Sequence, residues 1–367
     1  MKKINTIRYI AIAAVFCLFV GFFALSPWLM PDSEYSVYER RPLEQMPVWE
    51  EAESIADYID GWDAYLTDQF SFRDPLRFLK SCFAHAILLQ TDVNGYYSKD
   101  GMEAELLYPM NTDNISANLA LLEEIRQTYF PSSPAYYGVI PDKSYYMDAP
   151  LGLDYDVIDR LFADTVKATA IPLRESLTLS DYYATDIHWK QENLSAVYEK
   201  MRANLQGALP PFAEAGYTKQ TAGSFYGVLY GQAALPVGKD TMCYLTNTTV
   251  EALQVQVLDT GKSGSVYDTE AFAGDDAYDL YLGGEAALIR ITNPASQSGK
   301  KLILFRDSFG RSIAPLLAAG YDEIVLVDLR WIRPAYLAGF SELLQADENT
   351  DLLFLYSAQV LHSVKLG

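Results

Sequence analysis

The chain has little cysteine, little histidine and too few basic residues to balance its acids. Its 367 residues include 3 cysteines and 3 histidines, and 28 Lys and Arg stand against 48 Asp and Glu, a formal net charge of −20 at pH 7. Three cysteines are too few for a disulfide scaffold, and three scattered histidines argue against a zinc cluster. The charge argues against nucleic acid as a partner, because phosphate binding depends on clustered Lys and Arg. We expect no metal and no cofactor.

Apolar residues and tyrosine, by contrast, are plentiful. Half of the residues are hydrophobic and 21% are charged, which excludes a largely disordered chain. The 27 tyrosines offer amphipathic rings that suit stacking on sugars, and ordinary packing is the other interpretation of most of them.

Residues 9–30 form an uncharged stretch near the N-terminus. As a helix the stretch would extend about 33 Å, enough to cross a bilayer. Basic residues precede it and acidic residues follow it, so the positive-inside rule places the N-terminus in the cytoplasm and everything after the stretch outside. The sequence therefore predicts a single-pass anchor in the cell membrane. The flanking charges are Lys2, Lys3 and Arg8 before the stretch, and Asp32 and Glu34 after it.

Two other interpretations of this stretch are open. Ala24-Leu25-Ser26 has the small-x-small pattern of a cleaved signal peptide, and a buried core helix is the third option. The stretch is longer than a usual signal-peptide core, and a core helix does not account for the charge asymmetry, so we favour an uncleaved anchor. In an oxidising exterior, Cys82 and Cys243 could pair.

The remainder of the chain divides into two predicted regions. Residues 31–110 form a tether followed by a helical and hairpin entry segment, because Pro, Glu and Tyr dominate at first and an apolar stripe with helical spacing follows. Residues 111–367 form the main domain. Within it, residues 207–300 are rich in Gly and Thr with short alternating segments, which predicts a β-rich insertion.

The main domain has the pattern of an α/β fold. Residues 302–305, 324–327 and 352–355 are near-continuous apolar runs, separated by helical segments at 309–319 and 334–346. Strands that are apolar on both faces and joined by helices predict a mostly parallel sheet with helices on both faces. Further elements are a strand at 136–140 and helices beginning near residues 114, 156 and 188.

A polar motif containing Asp307-Ser308-Phe309 stands where the strand at 302–305 ends and a helix begins. The carboxyl ends of parallel strands form the binding crevice of such sheets, so a serine there would meet ligand beside the amide groups of a helix start. The alternative is that Asp307 or Ser308 simply caps the helix.

A second motif, Asp186-Ile187-His188-Trp189, contains an acid two residues before a histidine. A serine nucleophile needs a base, and the base needs a carboxylate to orient its imidazole. The alternative is a histidine at a helix start that is bonded to its neighbouring acid. The motif is weak evidence when taken alone.

Several short motifs in a fixed order are far more specific than either one. Together they resemble the DHHW protein family of bacteria, which is related to the SGNH-like alginate O-acetyltransferase proteins. The matching segments are Asp68-Gln69-Phe70-Ser71-Phe72-Arg73-Asp74, Val139-Ile140-Pro141-Asp142-Lys143, Asp186 to Trp189, Leu282-Gly283-Gly284, Asp307-Ser308-Phe309 and Val327-Asp328-Leu329-Arg330.

The resemblance implies an SGNH-hydrolase-like fold and a catalytic triad of Asp186, His188 and Ser308. Because Asp and His precede Ser in this chain, the reverse of the usual SGNH order, the sheet would be circularly permuted. The sequence departs from the family at Ile187, where the family has its first histidine. Two further departures are Glu285, where relatives often carry Asn, and Arg306, where SGNH proteins have Gly. Substrate-binding roles are implied for Lys143, Trp189, Gly283, Gly284 and Arg330.

The function that the resemblance implies is an extracytoplasmic O-acetyltransferase that acts on a cell-surface polysaccharide. Acyl-coenzyme A is absent outside the cell, so a polytopic membrane-bound O-acyltransferase is the implied partner. An esterase with the same triad is one alternative. A non-catalytic envelope protein that binds glycan or an assembly partner is another, motivated by Ile187, Glu285 and the tyrosine content.

Overall fold

A computed structural model describes residues 2–149 and 151–367. The α-helices are α1 Lys2–Leu29, α2 Ile55–Asp68, α3 Arg73–Ala86, α4 Thr112–Tyr129, α5 Tyr155–Thr165, α6 Ser195–Asn204, α7 Val228–Ala233, α8 Thr248–Ala252, α9 Phe309–Leu317 and α10 Ala358–Ser363. The β-strands are β1 Tyr35–Ser36, β2 Arg41–Pro42, β3 Asp92–Val93, β4 Tyr96–Lys99, β5 Met102–Glu105, β6 Ala135–Ile140, β7 Thr169–Ala170, β8 Thr218–Phe225, β9 Asp240–Thr246, β10 Gln254–Val257, β11 Lys262–Gly264, β12 Leu288–Thr292, β13 Lys301–Arg306, β14 Glu323–Val327 and β15 Thr350–Ser357. Short 3-10 helices lie at Lys143–Met147, Gln191–Asn193, Ala277–Leu280 and Pro334–Phe340, among other connections.

The chain separates into two compact units. One comprises Met1–Asn94 with Tyr230–Pro236, and the other comprises Gly95–Leu229 with Val237–Gly367. The domain boundaries predicted at residues 30 and 110 stay predictions.

Helix α1 is the first element of the first unit. Apolar side chains on it are largely exposed, among them Ile12, Phe16 and Phe19, each more than 60% exposed. The transmembrane helix predicted over residues 9–30 is not found: no helix in the described part of the chain is both long enough and apolar enough to cross a membrane.

A cluster of ion pairs organises the rest of the first unit. Asp68 accepts two hydrogen bonds from the Arg41 guanidinium, at 2.6 and 2.7 Å. Glu39 pairs with Arg73 at 2.5 Å and with Arg77 at 2.9 Å. Because Asp68 and Arg73 both belong to the segment 68–74, that motif is part of the structural framework of this unit.

The second unit is built on an eight-stranded sheet with the order β11-β10-β12-β14-β13-β15-β6-β7. Strands β14, β13, β15, β6 and β7 are parallel, as the apolar runs predict. Strands β12, β10 and β11 continue the sheet in antiparallel pairing. Strand β6 is the first strand of this sheet in chain order and β15 is the last, and the two are paired. Residues far apart in the chain therefore reach neighbouring positions at the carboxyl ends of these strands.

Helices cover both faces of this sheet, as predicted. Alternate side chains of β13 enter different cores: Leu302 and Leu304 face one cluster, and Ile303 and Phe305 face the other. The first cluster contains residues of α6 and α9, and the second contains residues of α4, α5 and α10. Because successive side chains of a strand enter the two cores in turn, a strand buried on both faces is apolar at nearly every position.

Two predicted segments differ from the structure. The helix expected over 188–205 begins only at Ser195, because His188 and Trp189 lie in an extended loop before it. The region 207–300 contributes the separate β8–β9 hairpin, but its strands β10, β11 and β12 extend the main sheet. Short alternating strands look the same in sequence whether they pair with each other or with a larger sheet. Cys82 and Cys243 are free thiols.

Candidate active site

Ser308 lies between the central strand β13 and helix α9. The backbone at Ser308 is already helical, with φ −58° and ψ −31°, and its side chain makes no capping hydrogen bond. Asp307 performs the local structural role instead, since its Oδ1 accepts from Phe309 N–H at 3.0 Å and its Oδ2 accepts from Ser357 N–H at 2.7 Å. The two interpretations of this motif therefore apply to different residues: Asp307 satisfies backbone donors, and the Ser308 hydroxyl is left for another partner.

Asp186 and His188 lie on a tight loop. Tyr182 and Trp189 pair as an antiparallel bridge that closes the loop, and Tyr183 N–H donates to His188 O at 3.1 Å inside it. The Asp186 carboxylate accepts from His188 N–H at 3.1 Å, which fixes the turn between the two residues. A two-residue spacing thus allows one carboxylate to hold both the backbone and the ring of the same histidine.

The structure brings Asp186, His188 and Ser308 together in a chain of short contacts. His188 Nε2 lies 2.7 Å from Ser308 Oγ, and His188 Nδ1 lies 2.6 Å from Asp186 Oδ1. These distances match those between nucleophile, base and orienting acid in hydrolytic triads. Ser308 and His188 are 7% and 5% exposed, and Asp186 is 1% exposed. Ser308 and His188 thus retain slight solvent access, whereas Asp186 is almost completely buried.

Interactions from two other segments, one with Asp240 and one with Gly227 and Val228, hold this loop. Asp240 accepts from Ala184 N–H and Thr185 N–H at 2.8 and 2.7 Å, and from the Thr185 hydroxyl at 2.6 Å. Val228 N–H donates to Asp186 Oδ2 at 3.2 Å. Gly227 packs so closely that an added Cβ would lie 2.3 Å from the Asp186 Cβ, so a larger residue there would displace the acid.

Lys143 also holds the loop that contains Asp186 and His188. Its Nζ donates to the carbonyl oxygens of Tyr183, Ala184 and Asp186, each at 2.9 Å. The residue is completely buried. All three ammonium protons are therefore used within the protein, and the expected substrate contact of Lys143 stays a prediction.

Trp189 is also fully buried, and its expected contact with substrate stays a prediction. Its Nε1–H donates to Ser312 Oγ at 2.7 Å, and the Tyr278 hydroxyl donates to the same oxygen at 2.7 Å. Ser312 lies four residues after Ser308, hence on the same face of α9. The indole therefore positions the loop against the helix that carries the serine.

Tyr278 forms a wall of the site that the sequence did not reveal. Its ring stacks on the His188 imidazole with centroids 3.7 Å apart and planes 7° apart. The Arg311 guanidinium lies over the Tyr278 ring, 5.3 Å from its centroid. Burial raises the pKa of Tyr278, so its hydroxyl stays a hydrogen-bond donor. No spacing rule could have identified this residue among 27 tyrosines.

The Gly283-Gly284 turn packs against Asp279, and an ion pair joins Asp279 to Arg311 of α9. Arg311 Nη1 donates to Asp279 Oδ1 at 2.8 Å. Gly284 has φ +101°, and an added Cβ would lie 2.9 Å from the Asp279 Cγ, so glycine is required on both counts. Gly283 is exposed, as is the neighbouring Glu285. The predicted binding role of the two glycines stays a prediction.

The Arg306 departure is accommodated by a buried charge cluster. Arg306 Nη1 donates to Asp328 Oδ2 at 2.8 Å and Nη2 donates to Ala286 O at 3.2 Å. Burial lowers the pKa of Arg306 to about 10, against the opposing effect of Asp328. Arg330 donates to the same carboxylate through Nε and Nη2 at 2.9 and 2.7 Å, and it stays partly exposed. Arg330 is thus anchored at the sheet edge, and its predicted contact with substrate stays a prediction.

Within residues 2–149 and 151–367, no group of three or more His, Cys, Asp or Glu side chains is arranged to hold a metal ion.

The chain thus has a mixed α/β fold with a mostly parallel sheet, in which a serine at the carboxyl end of a central parallel strand faces a histidine on a nearby loop. No protein-family model and no curated protein matches the chain. Solved structures do. A DHHW family protein from Eubacterium siraeum superposes with a TM-score of 0.59 at 19% identity, covering 74% of this chain and 93% of that one.

Bacillus cereus PatB1 shares the fold as well. Its structure with a sulfonyl adduct gives a TM-score of 0.57 at 17% identity and covers 75% of this chain and 97% of that one. A second PatB1 structure gives a TM-score of 0.55 at 16% identity, over 73% and 97% of the two chains. The resemblance to DHHW proteins is thereby confirmed in the fold.

Proposed function

We propose that this protein is an SGNH-like acyl-transferring enzyme that O-acetylates a cell-surface polysaccharide. The observation that carries the proposal is the continuous chain of contacts from Ser308 Oγ through His188 to Asp186, at 2.7 and 2.6 Å. A serine that serves only as a cap would bond to the helix backbone, and the Ser308 side chain does not.

The first half of the reaction forms an acyl-enzyme. Ser308 Oγ attacks the carbonyl carbon of an acyl ester while His188 Nε2 takes the hydroxyl proton. Asp186 holds the opposite ring nitrogen and stabilises the imidazolium. The Ser308 backbone N–H, at the start of α9, would donate to the oxyanion. The tetrahedral intermediate then expels the donor alkoxide, which receives the proton from His188.

The second half transfers the acyl group. A sugar hydroxyl attacks the Ser308 ester and gives its proton to His188 Nε2, and the intermediate collapses to the O-acylated sugar. Ser308 Oγ recovers the proton from His188. Water in place of the sugar hydroxyl makes the same site an esterase, so the acceptor decides between the two activities.

The compartment and the partner are part of the same proposal. We propose that the second unit works outside the cell and that the N-terminal segment holds the chain at the membrane. The support is the charge asymmetry around residues 9–30 and the exposed apolar side chains of α1. Acetyl groups would come from a polytopic membrane-bound O-acyltransferase, because the activated donor is made inside the cell.

The triad is tested by covalent labelling. Incubation with phenylmethanesulfonyl fluoride, followed by peptide mass spectrometry, should place one sulfonyl adduct on Ser308. PatB1 has been solved with a sulfonyl adduct, which recommends this reagent. Ser308→Ala should lose the adduct and all hydrolysis of 4-nitrophenyl acetate, while the control variant Ser341→Ala, at an exposed serine away from the site, keeps the adduct on Ser308. A wild-type protein that stays unlabelled and inert would leave the non-catalytic glycan-binding protein as the better proposal.

The location and the partner are tested in cells. Fractionation and N-terminal sequencing should find an uncleaved chain in the membrane fraction, and a released product that begins near Pro27 would contradict the anchor. Pull-down from detergent extracts should recover a multi-span protein. Acetylation of the glycan that needs this protein but no polytopic protein would contradict the partner.

A further inference from the structure

Lys143 lies three residues after the end of strand β6, at the carboxyl ends of the parallel strands, where Ser308 also lies. It belongs to the 3-10 helix Lys143–Met147, and Asp142 caps that helix by accepting from Ser144 N–H at 2.8 Å. The three carbonyl groups that Lys143 binds belong to the loop residues immediately around Asp186. An ammonium has three N–H donors and a neutral amine has two. The geometry of this loop therefore depends on the protonation state of Lys143.

Glu103 is the unusual neighbour of this lysine. Its side chain on β5 is completely buried, and neither carboxyl oxygen has a hydrogen-bond partner in the described part of the chain. Its backbone N–H donates to Ala184 O at 3.0 Å, so β5 lies against the same loop. A buried carboxyl group without hydrogen bonds is costly, and one whose backbone shares the Ala184 carbonyl oxygen with the Lys143 ammonium needs an explanation.

Acidic side chains from several segments surround Lys143 and Glu103. Lys143 interacts electrostatically with Asp186 and Asp240 as well as with Asp142 and Glu103. Asp240 is already occupied by three donors from Ala184 and Thr185. Glu103 has no such donors, so it is the acid of this group that is free to change its charge without breaking a hydrogen bond.

We propose that Lys143 is a positioning residue for Asp186 and His188, and that buried Glu103 is the counter-ion that keeps Lys143 protonated, so that this pair sets the upper pH limit of Ser308 reactivity. This inference rests on the proposed function, because it concerns how the triad is held. Lys143 touches no reacting atom and acts through the loop alone.

The direction of the effect follows from the electrostatics. Burial lowers the pKa of Lys143 to about 8, although the four surrounding acids oppose this. Burial raises the pKa of Glu103 to about 7, with Lys143 opposing and Asp240 reinforcing the rise. Near pH 8 Glu103 is thus ionised and favours the ammonium form of Lys143. Removing the Glu103 charge should lower the pKa of Lys143 and release the loop at a lower pH.

The first experiment measures the lysine itself. NMR titration of the full chain with ¹³C,¹⁵N-lysine, with the Lys143 signal assigned by its loss in Lys143→Met, should give a midpoint that moves down by about half a pH unit or more in Glu103→Gln. The matched control is Glu105→Gln. This variant removes another acid from strand β5. Unlike Glu103, Glu105 has a hydrogen-bond partner, because its Oε2 accepts from Gln359 Nε2 at 2.5 Å. An unchanged Lys143 midpoint in Glu103→Gln would overturn the proposal.

The second experiment measures the site. The rate of Ser308 labelling by phenylmethanesulfonyl fluoride, followed from pH 5 to 10, should fall on the alkaline side. That limb should move to lower pH in Glu103→Gln and stay in place in Glu105→Gln, while the acidic side of the profile is the same in all three proteins. A merely structural Glu103 would change the rate at every pH by one factor. A shifted Lys143 midpoint with an unmoved alkaline limb would also overturn the proposal.

The failure of the proposed function gives a different result. If Ser308 is inert in the wild-type protein, the enzyme proposal fails, and the positioning of the loop is read from the His188 Nδ1 proton resonance. That resonance should change with the Lys143 midpoint in both wild type and Glu103→Gln. A resonance that does not follow the lysine would overturn the positioning role independently of activity.

Discussion

The parallel and antiparallel halves of the main sheet differ in how their faces are covered. Every residue of β15 is buried, whereas β10 has exposed glutamines at Gln254 and Gln256. The parallel half ends in the short turn that presents Ser308. The antiparallel half is joined by a long connection between β11 and β12, and that connection supplies Tyr278 and Gly284. A buried strand of the parallel half thus leads to Ser308, and a connection with less regular structure supplies the ring that stacks on His188.

The largest effect is expected at the loop of Asp186 and His188, which meets Ser308 at the end of the parallel half. Asp186→Asn keeps the shape of the side chain but permits the wrong imidazole tautomer, so the rate of Ser308 acylation should fall by about 10³–10⁴-fold. Acylation by 4-nitrophenyl acetate measures this, with exposed Asp156→Asn on α5 as the control. Wild-type kinetics in Asp186→Asn would exclude the acid from the mechanism.

The difference in burial predicts a difference in stability. Ile303→Ala in β13 should lower the free energy of unfolding by about 2–5 kcal/mol, because a fully buried side chain leaves a cavity. Gln256→Ala in β10 should change it by no more than about 0.5 kcal/mol, because that side chain is exposed. Urea unfolding at one pH gives both values. Equal losses would mean that the two halves are equally well covered.

Next to the loop that contains Asp186 and His188, the charge of Glu103 should make stability depend on pH. The pKa of Glu103 is raised from 4.5 to about 7 in the folded protein, so its contribution to stability is full below pH 4.5 and is lost as pH rises through 7. Relative to Glu103→Gln, wild type should therefore lose up to about 3 kcal/mol over this interval. Urea unfolding of both proteins at pH 5 and pH 8 measures the loss. A difference that does not vary with pH would show that Glu103 is not titrating.

The smallest effect concerns the antiparallel half. Tyr278→Leu removes the ring that stacks on His188 and should slow acylation by about tenfold, in line with the energy of one aromatic pair. Tyr278→Phe keeps the ring and loses only the hydrogen bond to Ser312, so it should stay within about threefold of wild type. Comparable losses in the two variants would assign the effect to the hydroxyl.

Much of the fold and part of the site followed from local sequence. The runs at 302–305, 324–327 and 352–355 predicted buried strands, because a strand covered on both faces must be apolar at every position. The spacing in Asp186-Ile187-His188 allows the acid to reach the ring, because only one residue separates them, although distant residues such as Asp240 and Lys143 hold the loop. The position of Ser308 after a buried strand predicted its place at the sheet edge.

Other features depended on contacts between residues far apart in the chain. The sequence predicted a helix from residue 188, but the pairing of Tyr182 with Trp189 holds that segment extended. It predicted substrate contacts for Lys143 and Trp189, and tertiary packing buries both beneath the loop. Strands β10 to β12 join the main sheet because β12 pairs with the edge of β14. Tyr278 stacks on His188 because the connection between β11 and β12 passes next to that histidine. Periodicity and spacing determine local conformation and burial, whereas the partner of a buried charge or ring is decided only when distant segments meet.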